Sequence, residues 1–145
     1  MELHKKGNKS VLVCGCSKLG AHIAQYYSQK DYNTTVLDPD KKSFRKLREN
    51  FSGLPVRGDA TDIDVLKANG AQDADIIIAT TGSDNTNIFI SEMASVIFKT
   101  PKIYARLNDE DKADLITEYK NINILSPFLL CMEEFHRKEK EEEGL

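Results

Sequence analysis

The sequence predicts an α/β domain built on a doubly wound, parallel sheet of six strands. Apolar segments with β-branched residues alternate along the chain with segments whose apolar residues recur at helical spacing. A glycine-containing turn, GCSKLG, follows the first predicted strand and leads into the first predicted helix. The length of 145 residues fits one domain with its own hydrophobic core.

The first half of the chain supplies three of the strands, which are predicted over 10–16, 33–37 and 54–57. Apolar residues near helical spacing predict one helix over 18–29 and another over 39–51, which ends at a Ser-Gly pair. One face of this second helix would consist of Phe44, Leu47 and Phe51.

The second half repeats the alternation. Helices are predicted over 63–68 and 84–98, and a further helix is predicted to run from a cap at Asn108 or Asp109 to residue 119. The remaining strands are predicted over 74–79, 102–107 and 122–125. Because crossovers between parallel strands are right-handed, we expect a ligand in the crevice beyond the carboxyl ends of the strands.

The last segment has a different composition. From Pro127 onward, four side chains share a helical face and a charged run, RKEKEEE, follows; the four are Phe128, Cys131, Met132 and Phe135. One interpretation is a closing helix that packs on its own domain, and the other is a helix that binds a partner. We therefore divide the chain into a flexible N-terminus over 1–9, a domain over 10–126 and a helix with a charged tail over 127–145.

Composition argues against several function classes. The 23 acidic and 20 basic residues are spread along the chain and give a net charge of -3, so we expect no nucleic-acid partner. The apolar runs are far too short to span a membrane. A polar N-terminus without a signal-peptide pattern predicts a cytoplasmic protein. The three cysteines form no disulfide framework, and nothing completes a metal site around the CxC pair.

The glycine turn indicates where a phosphate would bind. Gly15 allows a sharp turn after the strand, Gly20 allows close packing of the helix, and the N–H groups at the helix start attract an anion. The spacing is GxSxxG instead of GxGxxG, because Ser17 replaces the second glycine. Its Cβ would crowd a pyrophosphate, whereas its hydroxyl would offer a hydrogen bond, and the sequence leaves both effects open.

Asp38 ends the second predicted strand and lies 18 residues (38 − 20) beyond Gly20. A carboxylate there can accept both ribose hydroxyls and favours a free 2′-OH over a 2′-phosphate. The alternative is a helix cap with Pro39 at the first helical position, and the two roles are compatible.

Three more strand ends carry polar residues. The small residues of GDAT at 58–61 leave room for a flat ring, although they also fit a simple turn and helix cap. TTGSDN at 80–85 offers hydroxyls and amides at the start of a helix. Arg106 would pair with a phosphate, or alternatively with Asp109 or Asp111 on its own surface.

Taken together, VLVCGCSKLG, VLDPD, the GDAT block, ADIIIATTGSDNTN and IYARLND resemble the RCK family, also called KTN or TrkA N-terminal domains, over residues 10–135. The resemblance implies a Rossmann-type fold that binds NAD or NADH, or alternatively ATP, ADP or AMP. It implies a cytoplasmic regulatory subunit of a potassium uptake system, associated with the membrane through a potassium transporter subunit.

The same resemblance implies a crossover helix from Pro127 that packs on a neighbouring subunit, and hence a homo-oligomer, either a dimer or a higher ring. It also implies that the C-terminal ligand lobe of many relatives is absent from this sequence. Lys18 falls where some family members place an arginine near the terminal phosphate.

The resemblance assigns a cofactor-binding role to fifteen residues. Phosphates would bind at Gly15, Cys16, Ser17, Lys18 and Leu19, the ribose at Asp38 and Pro39, the adenine region at Asp59, Ala60 and Thr61, the far loop at Thr80, Thr81, Gly82 and Asn85, and a further phosphate at Arg106.

Three functions are compatible with these residues. The first is a ligand-gated regulatory module without chemistry of its own, because the nucleotide fold takes up the chain and no acid–base pair lies near the expected nicotinamide position. The second is a small NAD-dependent oxidoreductase, since the same fold serves dehydrogenases. The third is a structural subunit with a vestigial pocket. We assign no catalytic residue.

Overall fold

Six parallel strands form one sheet in the order β3-β2-β1-β4-β5-β6. The computed structural model describes residues 8–144. The strands are β1 (Ser10–Cys14), β2 (Asn33–Asp38), β3 (Leu54–Arg57), β4 (Ile76–Ala79), β5 (Lys102–Arg106) and β6 (Ile122–Leu125). The order reverses between β1 and β4, which confirms the predicted doubly wound sheet and places a crevice at the carboxyl ends of these two strands.

Four α-helices accompany the sheet: α1 (Lys18–Gln29), α2 (Ile63–Ala68), α3 (Asp84–Val96) and α4 (Pro127–Glu142). Each begins at a polar residue whose side chain accepts a hydrogen bond from a backbone N–H of the first turn. These caps are Ser17, Asp62, Ser83 and Ser126. The caps define where each helix starts and therefore where its free N–H groups point.

The centre of the sheet is buried on both faces, and the central strands β1 and β4 are buried almost throughout. Alternate residues of each strand face opposite sides. Leu12 and Ile77 belong to one hydrophobic cluster, which also includes residues of α2 and α3, whereas Val13 and Ile78 belong to a second cluster with residues of α1. This two-sided burial explains why both strands are continuous apolar runs in the sequence.

The predicted helix over 39–51 is wrong in type and length. The structure has a 3-10 helix at Lys41–Lys46, after which Leu47 is extended. Phe44, Leu47 and Phe51 still pack against the core cluster on the α1 side of the sheet, as their spacing indicated. A 3-10 helix has three residues per turn, so Phe44 and Leu47 share a face without an α-helix.

The helix predicted to reach residue 119 is likewise a 3-10 helix, Glu110–Leu115, capped by Asp109. A further 3-10 turn, Ala71–Asp73, precedes β4. β4 begins at Ile76, whereas the sequence predicted its start at residue 74. β1 ends at Cys14 instead of residue 16, because Gly15 has a φ of +107° and turns the chain away from the sheet.

Helix α4 buries none of its residues. Large apolar side chains are exposed along it, namely Phe128, Leu129, Leu130 and Phe135. The interpretation of α4 as a closing helix that packs on its own domain is therefore wrong. None of the helices in the described part of the chain combines the length and apolarity needed to cross a membrane.

The predicted flexible N-terminus over 1–9 falls mostly outside the described residues, which begin at Asn8. Lys9 is already attached to the sheet, since its carbonyl accepts a hydrogen bond from Asn33 N at 2.9 Å. The division into 1–9, 10–126 and 127–145 stays a prediction.

Gly20→Ala should destabilise the fold, because a Cβ at this position would lie 2.1 Å from the carbonyl oxygen of Gly15 and 2.6 Å from Thr80 Oγ1. Backbone cannot move as easily as a flexible side chain, so we expect a loss of about 1–3 kcal/mol in the free energy of unfolding. Chemical denaturation measures this loss. Gly82→Ala is the matched control, because its Cβ meets nothing within 4 Å; equal stability of the two variants would contradict the prediction.

Candidate nucleotide-binding site

The turn between β1 and α1 lies directly against the end of β4. A Cβ on Gly15 would come within 2.6 Å of Thr81 N and 2.7 Å of the Thr80 carbonyl carbon, so only glycine fits here. Gly15 N donates to Leu37 O at 2.8 Å, and Thr80 Oγ1 donates to Gly15 O at 2.9 Å. The turn is thereby attached to both neighbouring strands.

The N-terminus of α1 opens from this turn. Ser17 Oγ accepts a hydrogen bond from Gly20 N at 3.1 Å and caps the helix. Within residues 8–144, the backbone N–H groups of Lys18 and Leu19 have no acceptor. Free N–H groups and the positive end of the helix dipole together favour an anion at this position.

Asp38 connects the end of β2 to the glycine turn. Its Oδ2 accepts from Cys16 N at 2.9 Å, and its Oδ1 accepts from Asp40 N at 2.8 Å. A carboxylate has about four acceptor positions, so two remain for the hydroxyls of a ribose. The alternative role predicted for Asp38, that of a helix cap, belongs to Asp40, which caps the 3-10 helix at 41–46.

Asp59 follows β3, in the GDAT turn. One of its oxygens, Oδ1, accepts from both Thr61 N at 2.9 Å and Thr61 Oγ1 at 2.7 Å. These two hydrogen bonds, the backbone one first, hold the pKa of the Asp59 carboxyl below its ordinary value. Asp59 is therefore an ionised acceptor at neutral pH, and its Oδ2 is left for a ligand.

The 3-10 helix at 41–46 covers one side of the turn. Cys16 Sγ lies 3.4 Å from Ser43 O, and Lys46 Nζ donates to Cys16 O at 3.2 Å. Burial and the nearby Asp38 carboxylate raise the pKa of the Cys16 thiol, while Lys46 opposes the shift. Cys16 thus stays a neutral thiol at physiological pH.

These elements enclose a cavity of about 600 Å³, a size typical of small-ligand sites. The predicted site residues that line it are Gly15, Cys16, Ser17, Asp38, Pro39, Asp59, Ala60, Thr61, Thr81 and Gly82. Ser17, which caps α1, belongs to this lining, and the free N–H groups of Lys18 and Leu19 follow it in the chain. Of the two carboxylates, Asp38 ends β2 and Asp59 follows β3. An adenosine nucleotide has the matching features, a phosphate, a diol and a flat base.

The other five predicted residues do not line the cavity. Thr80 is fully buried and bonds the glycine turn, so it positions the turn instead of meeting a ligand. Asn85 accepts from Lys112 on the surface, and Arg106 Nε donates to Asn108 Oδ1 at 3.1 Å instead of pairing with Asp109 or Asp111. Lys18 and Leu19 contribute backbone N–H groups at the start of α1, while their side chains lie outside the lining.

Six lining residues had no cofactor-binding role in the sequence analysis, and four of them, Leu37, Ser43, Lys46 and Thr86, were not indicated at all; the other two are Gly58 and Ser83. Gly58 and Ser83 belong to loops that the strand ends already indicated. Ser43 and Lys46 carry no local signal, because they reach the cavity only when the 3-10 helix folds back over the glycine turn.

A buried amide also escaped the sequence analysis. Asn87 Oδ1 accepts from Thr81 N at 2.9 Å and from Thr81 Oγ1 at 2.7 Å, and Asn87 Nδ2 donates to Thr81 O at 3.1 Å and Arg106 O at 2.9 Å. Asn87 thereby fixes the far loop of the cavity to the end of β5. The block DNTN contains this residue, but its burial depends on the packing of α3.

Among residues 8–144, no group of three or more His, Cys, Asp or Glu side chains is arranged to hold a metal ion. Cys14 and Cys16 are both buried, and Cys131 is exposed on α4.

Comparison with known proteins assigns the family. The TrkA-N domain profile matches residues 11–127, which is most of the sheet and all four strand ends that line the cavity. The chain belongs to the TrkA-N domain family. Two curated relatives of this TrkA-N chain are the Trk system potassium uptake proteins TrkA of Streptomyces coelicolor, 31% identical over 105 residues, and of Haemophilus influenzae, 27% identical over 133 residues.

The chain spans only part of these relatives. The Streptomyces alignment covers 72% of this chain and 47% of the relative, and the Haemophilus alignment covers 88% of this chain and 29% of the relative.

Solved structures share the fold. The TrkA-N domain of the inner membrane protein ybaL from Escherichia coli superposes with a TM-score of 0.73 at 20% identity and covers 94% of this chain and 98% of its own. The GsuK channel bound to NAD gives a TM-score of 0.68 at 21% identity, covering 87% of this chain and 22% of its own. The Kef CTD of Shewanella denitrificans in AMP-bound form gives 0.66 at 23%, covering 81% and 72%.

Thr61→Val should raise the pKa of Asp59 part of the way toward its ordinary value. The substitution removes the hydroxyl donor and keeps the backbone N–H, which is the larger cause of the lowered pKa. Because the native pKa is lowered, the stability that Asp59 contributes is present above its unfolded pKa of about 3.9 and is lost as the pH falls through the native value. Carboxyl carbon NMR titration follows this group.

Thr117→Val is the control, since Thr117 lies on the surface and bonds Asp114 O. An unchanged Asp59 pKa in Thr61→Val would show that the hydroxyl bond does not form in solution.

Proposed function

We propose that this chain is the nucleotide-binding domain of a regulatory subunit of potassium transport. It binds an adenosine nucleotide, NAD(H) or ATP, ADP or AMP, in the cavity of about 600 Å³ at the carboxyl edge of the sheet. The observation that carries the proposal is one cavity lined by Ser17, the cap of α1, and by two acceptor carboxylates, Asp38 and Asp59, at the ends of β2 and β3.

Each part of an adenosine nucleotide has a complementary group. The start of α1 supplies N–H donors for a phosphate. Asp38 keeps acceptor positions for the ribose hydroxyls. The small lining residues Gly58 and Ala60 leave space for the base, with Asp59 as an acceptor for its amino group. The NAD-bound and AMP-bound structures that share the fold support the binding of a nucleotide.

The domain acts by binding, without catalysis. The described lining contains no histidine, and its one thiol, Cys16, has a raised pKa. Asp38 and Asp59 are tied into backbone hydrogen bonds that position them as acceptors. We therefore favour binding over the oxidoreductase alternative, because the described lining holds no histidine to act as a general acid or base.

A regulatory domain needs a partner that responds to it. The names of the curated relatives, Trk system potassium uptake proteins, support a membrane potassium transporter subunit as that partner and a cytoplasmic location beside the membrane. The exposed apolar side chains of α4 support self-association through this helix, giving a dimer or a higher ring.

Titration of the purified chain with NAD, NADH, ATP, ADP and AMP should give saturable binding for at least one of them. Asp38→Asn should weaken that binding about tenfold or more, because it replaces charge-assisted hydrogen bonds to the ribose. Calorimetry with the matching 2′-deoxynucleotide separates this role from loop positioning. The wild type should bind the deoxynucleotide more weakly than the ribonucleotide. The Asp38→Asn variant should bind the two ligands with nearly equal affinity.

Asp62→Asn is the matched control, because Asp62 caps α2 and lies outside the cavity lining. No binding of any of the five nucleotides to the wild type would overturn the proposed function.

Replacing Phe128 and Phe135 together by Asp should lower the assembly state if α4 joins copies of the chain. Both side chains are about half exposed, so the fold should tolerate the change. Light scattering should report a multiple of 16.3 kDa for the wild type and a smaller mass for the double variant. Lys140→Asp on the same helix controls for added negative charge. An identical mass for wild type and double variant would remove α4 from the assembly contact.

A further inference from the structure

Residues 41–48 form a strongly basic segment on the surface, which we call the basic segment. Charged residues of both signs are mixed along most of the chain, and the net charge is -3. The basic segment departs from this pattern, because five of its eight residues are cations and none is acidic. All five are exposed: Lys41, Lys42, Arg45, Lys46 and Arg48. Among residues 8–144, none of the five forms an ion pair with a carboxylate.

The 3-10 helix within the basic segment sorts its side chains onto three faces, because it has three residues per turn. Phe44 packs against the core cluster on the α1 side of the sheet. Ser43 and Lys46 line the nucleotide cavity. The third face carries Lys42 and Arg45, which are exposed and belong neither to the core cluster nor to a cavity lining. The solvent-facing side of this helix is therefore cationic.

A second cavity, of about 210 Å³, lies between α1 and the end of the basic segment, where Lys46 and Arg48 supply its cations. No carboxylate belongs to its described lining. Gln25 also lines it, and Gln25 Oε1 is buried without a hydrogen-bond partner among residues 8–144. The other end of this amide is fixed, since Gln25 Nε2 donates to Asn50 Oδ1 at 3.1 Å. A buried acceptor without a donor costs free energy, so a ligand with an anion and a hydroxyl group suits this cavity.

An aromatic side chain borders the second cavity. Tyr26 lines it and is 54% exposed, and its hydroxyl accepts a hydrogen bond from Lys30 Nζ at 2.9 Å. A tyrosine side chain combines an apolar ring with a polar hydroxyl, which suits the boundary between lipid and water. Lysine likewise places its charge in water while its methylene chain covers apolar surface. The border of the cavity therefore has the side chains that proteins use at a membrane surface.

We propose that the basic segment and the second cavity dock on the anionic phospholipid headgroups of a membrane surface. A lipid phosphate binds beside Arg48 in the cavity, and a headgroup hydroxyl donates to Gln25 Oε1. Lys42 and Arg45 lie against the neighbouring headgroups. The inference goes beyond the proposed function and rests on it only for a location beside a membrane.

The size of the second cavity favours lipid over an acidic protein as the partner. Its volume of about 210 Å³ is below the range of cavities that hold drug-sized ligands. A phosphate with a short polar headgroup fits such a space, whereas a peptide segment exceeds it. Phosphate is also a good partner for the planar guanidinium of Arg48, which can donate two parallel hydrogen bonds to it.

Sedimentation of the full chain with lipid vesicles tests the docking surface. The wild type should bind vesicles of phosphatidylcholine mixed with an equal part of phosphatidylglycerol, whose headgroup carries an anionic phosphate and free hydroxyls. It should not bind vesicles of phosphatidylcholine alone. Added KCl should weaken the binding, because salt screens the attraction between exposed charges.

Two changes in the docking surface should weaken the binding to anionic vesicles. Lys42→Glu combined with Arg45→Glu should weaken it about tenfold or more, because the attraction of an anionic surface adds up over the cations near it. Arg48→Met should weaken it about fivefold, since it removes one cation from the cavity. Lys67→Glu combined with Lys120→Glu is the control, with the same change of charge at two exposed residues whose neighbours pack on the other face of the sheet. The control should stay within about twofold of the wild type.

Docking on lipid is overturned if the wild type does not bind anionic vesicles, or if the control variant loses as much binding as the variant at Lys42 and Arg45. Unchanged binding of Arg48→Met would overturn the headgroup site in the second cavity. Retention of the wild type on a polyglutamate resin without binding to anionic vesicles would overturn docking on lipid and indicate an acidic protein segment instead. Thermal unfolding of each variant verifies that it folds.

Nucleotide titration keeps this inference separate from the proposed function. The variant at Lys42 and Arg45 should retain the nucleotide affinity of the wild type, because neither side chain lines the nucleotide cavity. Vesicle binding by a chain that binds no nucleotide would contradict only the proposed function. Nucleotide binding by a chain that does not bind anionic vesicles would overturn only the docking surface.

Discussion

The turn after β1 lies so close to the end of β4 that it determines where α1 starts and where the cavity forms. Side-chain carbon at Gly15 or Gly20 would overlap backbone at 2.1 to 2.8 Å, so two glycines let the start of α1 sit against the sheet. The hydroxyl of Thr80 then bonds the carbonyl of Gly15. Because of this contact, α1 begins beside the crevice between β1 and β4.

Cys16 connects this turn to the other elements that line the cavity. Its N–H bonds Asp38, its carbonyl accepts from Lys46, and its sulfur lies against the carbonyl of Ser43. The strand end and the 3-10 helix are therefore held in place before a ligand arrives. Such preorganisation lowers the entropy that binding must overcome. Ser17 adds to it by capping α1, and its hydroxyl hydrogen, which has no acceptor among residues 8–144, is available to a phosphate.

The chain belongs to the TrkA-N domain family, and the arrangement of its cavity supports the proposed role of binding a nucleotide. Its polar groups are held as donors and acceptors: the N–H groups of α1, the carboxylates of Asp38 and Asp59, and the ammonium of Lys46. A ligand bound in such a site can change contacts elsewhere in the protein only through the parts of the fold that are attached to the cavity. The 3-10 helix at 41–46 is attached in this way through Cys16 and Lys46.

The sheet and its strand ends could be predicted from the sequence, because apolar periodicity reports which segments are buried and parallel strands end at a common edge. The resemblance to the RCK family named fifteen site residues, and ten of them line the cavity. The cations and the inner polar groups of the cavity became visible only in the folded protein. Lys46 lines the cavity, whereas the predicted Arg106 does not. Thr80 and Asn87 bind no ligand directly but hydrogen-bond the loops at the strand ends to one another. These roles arise between residues distant in the chain, where no local pattern records which side chains meet. For the same reason, spacing predicted the apolar faces of 39–51 and of α4 but not that the first would be a 3-10 helix and the second would remain exposed.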